Sequence, residues 1–295
     1  MAGQRISSSS IASPRRARGR ARPRRGGACR RWLRALAAAP IAVRLVVGVV
    51  ALLAIWSAVN WTYQVIRKPT ELFFPLSAVL DASPRQTWRR YESLFRAHAT
   101  ATMRPELLAA LAQVEAAGNP VARTYWRWQL AWNPFEIYRP ASSAVGMYQI
   151  TDGTFREAQR SCVRDNVAIE SDPRRGDTPC WFTSLYSRVV PSHAIELTSA
   201  HLDRNVARTL ARHRAGGATL AQKQDLAALI HLCGAGVGNA YARRGFRLVP
   251  GQRCGDQDVH RYLASVNAMK RHFLWLADGP SLRAQPPSTR PARPA

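Results

Sequence analysis

Leu45 to Trp61 runs for 17 residues without a charge and is rich in leucine, valine and alanine. No other segment limits the fold so strongly. Backbone that crosses hydrocarbon must satisfy its own hydrogen bonds, so a run of this kind is helical. Extended to Tyr63 it holds 19 residues, which at roughly 1.5 Å per residue gives about 28 Å, close to the thickness of a bilayer core. Arg44 can snorkel at the near end, and Trp56, Trp61 and Tyr63 gather at the far end, as interfacial aromatics do. The expected transmembrane helix is 45–63.

Charge sets the expected orientation. The net charge is +25; residues 1–61 hold twelve arginines and no acid, while residues 62–295 hold the other 31 basic residues and all 18 acidic ones. The positive-inside rule puts the N-terminus in the cytoplasm and the bulk of the chain in the periplasm, a single-pass inner-membrane protein. A cleaved signal peptide is the alternative, but Trp56-Ser57-Ala58 lacks the small residue at the outer position. Arg30-Arg31 echoes a twin-arginine signal only inside a crowd of arginines. Topology accounts for the basic arm, so no nucleic-acid partner is expected. Residues 1–44 are too poor in core-forming side chains to fold and are expected to be disordered.

Cysteine usage agrees with export. Cys29 falls on the cytoplasmic side; Cys162, Cys180, Cys233 and Cys254 fall on the other. An even number in an oxidising compartment should pair. Of three connectivities, Cys162–Cys180 and Cys233–Cys254 are favoured because each closes a short loop. Buried thiols and zinc ligands are the alternatives, and no C-x-x-C pair supports zinc.

The exported part reads as mainly α. Residues 64–102 form a connector punctuated by Pro69, Pro75 and Pro84, with a helix over 86–98 that carries Trp88, Tyr91 and Phe95 at helical spacing. The main domain is 103–278. Its first helix follows Pro105, shows apolar residues at 107, 108, 111 and 114, and stops at Gly118 with Pro120 beyond. Further helices are expected over 152–164, 194–215, 220–233 and 256–275. The Pro/Arg/Ser-rich residues 279–295 are expected to be disordered.

Glu115 is the only acid in the run Leu107 to Pro120. Apolar neighbours and the negative end of a helix both favour a carboxyl that keeps its proton, which a general acid for glycosidic cleavage requires. A solvated helix glutamate is the plain alternative. In Ala144-Val145-Gly146-Met147-Tyr148-Gln149-Ile150, Gly146 allows close backbone approach and Gln149 offers an amide to a sugar. Ala235-Gly236-Val237-Gly238-Asn239 ends a helix; it follows no strand, which argues against a dinucleotide site. Tyr262, in Arg261-Tyr262-Leu263-Ala264, reads by itself as a core tyrosine.

In this order the four segments resemble the soluble-lytic-transglycosylase family of lysozyme-like peptidoglycan enzymes. That family shows a helix ending in Glu-Ser, a Gly-Leu-Met-Gln-Ile segment, a Tyr-Asn-Ala-Gly-x-Gly segment and a Thr-Arg-x-Tyr-Val helix. The likeness covers about residues 103–270. It implies a goose-type, lysozyme-like α-helical catalytic domain. Glu115 matches the catalytic acid/base. Gly146, Met147 and Gln149 match the cleft-lining segment, with Tyr148 between them also expected to bind substrate; Ala235, Gly236, Gly238 and Asn239 match the glycine segment, and Tyr262 the tyrosine facing the glutamate. Ala116 stands where the family has Ser, Thr151-Asp152-Gly153-Thr154 where it has Pro-x-Thr, and Cys233-Gly234 where it has Tyr-Asn. The insert from Val121 to Ser142 is long and aromatic; its rings either stack on sugars or cap the fold.

What the resemblance implies is cleavage of the β-1,4 bond between N-acetylmuramic acid and N-acetylglucosamine in peptidoglycan glycan strands, with 1,6-anhydro ends and no metal or cofactor. Asp152 is read as capping the helix after it rather than as a second catalytic acid. A hydrolase of the same fold, and an inactive wall-binding anchor of a secretion or division assembly, stay open as alternatives.

Overall fold

The computed structural model describes Arg31 and residues 35–73, 78–172 and 178–279. Most of the basic arm, including Cys29, and the tail from residue 280 lie outside them. The chain divides into two units, Met1–Val59 and Asn60–Ala295. Helix α1 (Ile41–Arg67) is long and apolar enough to cross a membrane, and none of its most apolar 18-residue window is buried. It starts four residues before the expected span and ends four beyond it.

The second unit is mainly helical. Helix α2 (Pro84–Ala97) opens with a full capping box, Ser83 with Gln86, and a proline in its first turn. Its apolar stripe, Trp88, Tyr91 and Phe95, is buried in the same core as the rest of the unit. The helix within residues 64–102 thus packs on the main domain.

Helix α3 (Pro105–Ala116) lies at the centre. Leu107 through Ala112 are all buried. The sequence suggests one apolar face; burial on every side fits because Ala109, Ala110 and Ala112 let α2 and the last helix approach closely. The helix ends where Ala117 and Gly118 turn left-handed, at φ 48° and 67°, and the Gly118 N–H returns to the Ala112 carbonyl at 3.0 Å. A Cβ at Gly118 would lie 2.3 Å from Thr87 Oγ1, so glycine is what lets α2 cross here.

Two strands, β1 (Trp126–Trp128) and β2 (Tyr138–Pro140), pair antiparallel within the aromatic insert, with Arg127 opposite Arg139. Helix α4 (Asp152–Ala158) is short. The sequence suggests that it runs to residue 164, but Ser161–Arg164 is strand β3, paired with β4 (Val167–Glu170) through a turn in which Asp165 and Asn166 have positive φ. Then come α5 (Pro191–Arg212), α6 (Leu220–Cys233) and α7 (Ala235–Arg243). A small hairpin, β5 (Arg253–Cys254) with β6 (Gln257–Asp258), leads into α8 (Val259–Ala277), which packs along α3.

Cys162 is joined to Cys180 and Cys233 to Cys254, with Cα separations of 5.6 and 5.5 Å. The first holds β3 to the loop before α5; the second holds the end of α6 to β5.

Candidate active site

Glu115 sits in the last turn of α3, with its side chain 16 % exposed. The turn is held from behind. Thr87 Oγ1 donates to Gln113 Oε1 at 2.7 Å, Gln113 Nε2 donates to the Ala82 carbonyl at 3.0 Å, and Ala82 N–H donates to the Ala117 carbonyl at 2.9 Å. Asn119 Nδ2 adds a bond to Asp81 at 2.8 Å. Ordering a carboxylate through its own helix end is how a fold fixes a reacting group without touching it.

Tyr262 lies in the first turn of α8, whose N-cap Asp258 accepts the Arg261 N–H at 2.8 Å. The Tyr262 hydroxyl donates to Glu115 Oε1 at 2.5 Å. Burial, and then the charge of Glu115, hold the phenol well above its ordinary pKa, so it stays a donor. His231, on α6, brings Nε2 to 3.5 Å from the same oxygen. Among the described residues no hydrogen bond reaches Oε2. One carboxyl oxygen is thus held by the protein, and the other makes no hydrogen bond to the described residues.

The structure brings Glu115 and Tyr262 together. The glycine turn takes other parts. Val145 and Ile150 exchange backbone bonds at 3.2 and 3.0 Å, closing a loop in which Gly146 has φ 81° and Gln149 has φ 46°. A Cβ on Gly146 would lie 2.3 Å from the Arg188 carbonyl. Met147 and Tyr148 are fully buried, and the Tyr148 hydroxyl bonds the Leu108 carbonyl of α3 at 3.1 Å. Both are core residues with no exposed surface in this structure. Gln149 spends its amide N–H groups on the carbonyls of Gly146, at 2.9 Å, and Ala122, at 3.3 Å.

In the glycine segment, Gly236 is exposed and Asn239 bonds back to the Ala235 carbonyl at 2.8 Å. Gly238 is buried: a Cβ there would lie 2.4 Å from Ile230, so this glycine packs α7 onto α6 rather than facing a ligand. Asp152 is not the cap of α4; Thr151 is, and Asp152 pairs with Arg188 at 2.8 Å.

Two residues carry no motif and yet shape the site. Arg188 donates to the carbonyls of Ser143 and Ile150 at 3.0 and 2.9 Å and clamps the glycine turn. His231 reaches Glu115 on one side. On the other it lines a small cavity with His201, Thr198 and Ile150 that has room for about one water. Burial lowers the pKa of His201 to about 4. A lone histidine in an apolar helix reads from sequence as core, and Arg188 lies in a loop far from either motif; neither gives a signal. Among the described residues no group of three or more His, Cys, Asp or Glu could hold a metal ion.

No model of a known protein family matches this chain, and no curated protein matches it.

Proposed function

We propose that the protein is a peptidoglycan lytic transglycosylase of the soluble-lytic-transglycosylase kind, anchored in the inner membrane by α1 with its folded unit in the periplasm. The observation that carries this reading is the half-held carboxyl of Glu115, fixed through Oε1 by Tyr262 while Oε2 makes no hydrogen bond to the described residues. Glu115 gives its proton to the leaving GlcNAc oxygen as the bond from muramic C1 breaks. The acetamide carbonyl oxygen of the substrate bonds to C1, a substrate-assisted route that needs no second carboxylate. The muramic 6-hydroxyl then attacks C1, the acetamide leaves as a neutral group, and the hydroxyl proton returns to Glu115. Tyr262 steadies the charge that Glu115 bears between the two steps.

The test uses the full chain in detergent on purified cell wall, with products identified by mass. Anhydro-muramic ends, each lighter by one water than a reducing end, are expected. Glu115→Gln, which preserves shape and removes the proton, should slow release by about 1,000-fold or more. Reducing ends in place of anhydro ends would make the protein a hydrolase. Binding without release by either protein would make it a wall anchor.

A further inference from the structure

The β1–β2 hairpin turns four of its large apolar side chains outward. At its tip, Leu130 and Trp132 are 106 % and 105 % exposed, and Tyr125 and Trp128 are 66 % and 67 % exposed. Four large apolar side chains exposed within eight positions are the kind of surface that marks an interaction site. A two-stranded hairpin is marginal by itself, and this one is fastened to the last turns of α1. Asn60 Nδ2 donates to the Tyr138 carbonyl at 2.9 Å and Gln64 Nε2 to the Phe135 carbonyl at 2.6 Å. Tyr63 packs on Phe135 with ring centroids 5.3 Å apart, and Arg67 pairs with Glu136 at 3.2 Å. Behind the hairpin, fully buried Glu71 accepts from Trp126 Nε1 and Arg123, both at 2.9 Å. The attachment points are Asn60, Tyr63, Gln64 and Arg67, where the chain leaves its apolar run.

Charge on the hairpin is complementary to one occupant in particular. Arg127 faces Arg139 directly across the ladder; Arg139 lies 3.7 Å from the Glu136 carboxylate, and Arg127 is exposed on the same hairpin as the apolar tip. Guanidinium groups chelate phosphate oxygens, and tryptophan and tyrosine favour the layer between headgroups and acyl chains.

We propose that the hairpin tip, Gln129–Asn133, seats in the headgroup layer of the outer leaflet, with Leu130 and Trp132 among the acyl ends and Arg127 and Arg139 on lipid phosphates. This rests on the reading of α1 as a membrane span. The chain then meets the bilayer at two points, a spanning helix and an interfacial hairpin.

The test places a photo-reactive benzoylphenylalanine at Trp132, and separately at Leu130, in the full chain reconstituted in nanodiscs of phosphatidylethanolamine and phosphatidylglycerol. Both positions are fully exposed, so the replacement leaves packing intact. Irradiation should give phospholipid adducts by mass, with a yield unchanged by added peptidoglycan fragments. Absence of lipid adducts at both positions overturns the proposal. So does transfer of the adduct to glycan, which would make the tip a sugar-stacking surface. Alkaline extraction of native membranes reports on α1 separately: a chain that stays in the pellet but gives no lipid adduct refutes the hairpin alone, whereas a chain released to the supernatant removes the span and the proposal with it.

Discussion

Tyr262 holds Glu115 through a single hydroxyl, so Tyr262→Phe isolates that bond. A hydrogen bond to a charged group contributes about 1.5–3 kcal/mol, so the variant should lose roughly 10- to 100-fold in wall-degrading rate, read from product release, with little change in urea midpoint. Gly146→Ala is the converse. It forces a Cβ into the Arg188 carbonyl at φ 81°, and should cost about 2–4 kcal/mol of stability, seen as a lower midpoint. The pairing of Glu115 with Tyr262 is implied by the family resemblance and not by residue type, since Tyr262 by itself reads as a core tyrosine. The fate of Met147, Tyr148 and Gln149 was not legible from sequence. Whether a turn shows its side chains to solvent or to the core depends on what closes over it, here Leu108 and Arg188, both remote in the chain.

Among the elements, α6 matches its expected bounds, Leu220–Cys233, because Thr219 and Gln222 form a capping box at one end and Gly234 stops the helix at the other. The β3–β4 hairpin was missed. Val163, Val167 and Ile169 suit a strand, and Asp165-Asn166 suits a turn with positive φ. A four-residue strand beside a real helix is easily absorbed into it. The disulfides follow loop length as expected. By chain entropy each stabilises the fold by about 3 kcal/mol. Replacing Cys162 and Cys180 together by alanine should therefore lower stability by about that amount, measured as the shift in denaturation midpoint between the double variant and the parent under non-reducing conditions.

At the scale of the molecule, stability should depend on pH through histidines buried neutral. His201 takes up a proton only near pH 4 in the folded unit, whereas an unfolded chain does so near 6.5. Above pH 6.5 the residue is neutral in both states and its contribution is complete. As pH falls from 6.5 towards 4 the unfolded state binds the extra proton, and about 3 kcal/mol is lost. Burial lowers His98 too, in the same sense. Urea midpoints of the detergent-solubilised chain should drop across this window, and His201→Gln should flatten the drop.

Glu115 and Tyr262 stand 147 residues apart in the chain. A ribosome must therefore reach α8, and α8 must dock, before that contact exists. No product that stops short of residue 262 can form it, so the contact marks a chain whose last helix has docked.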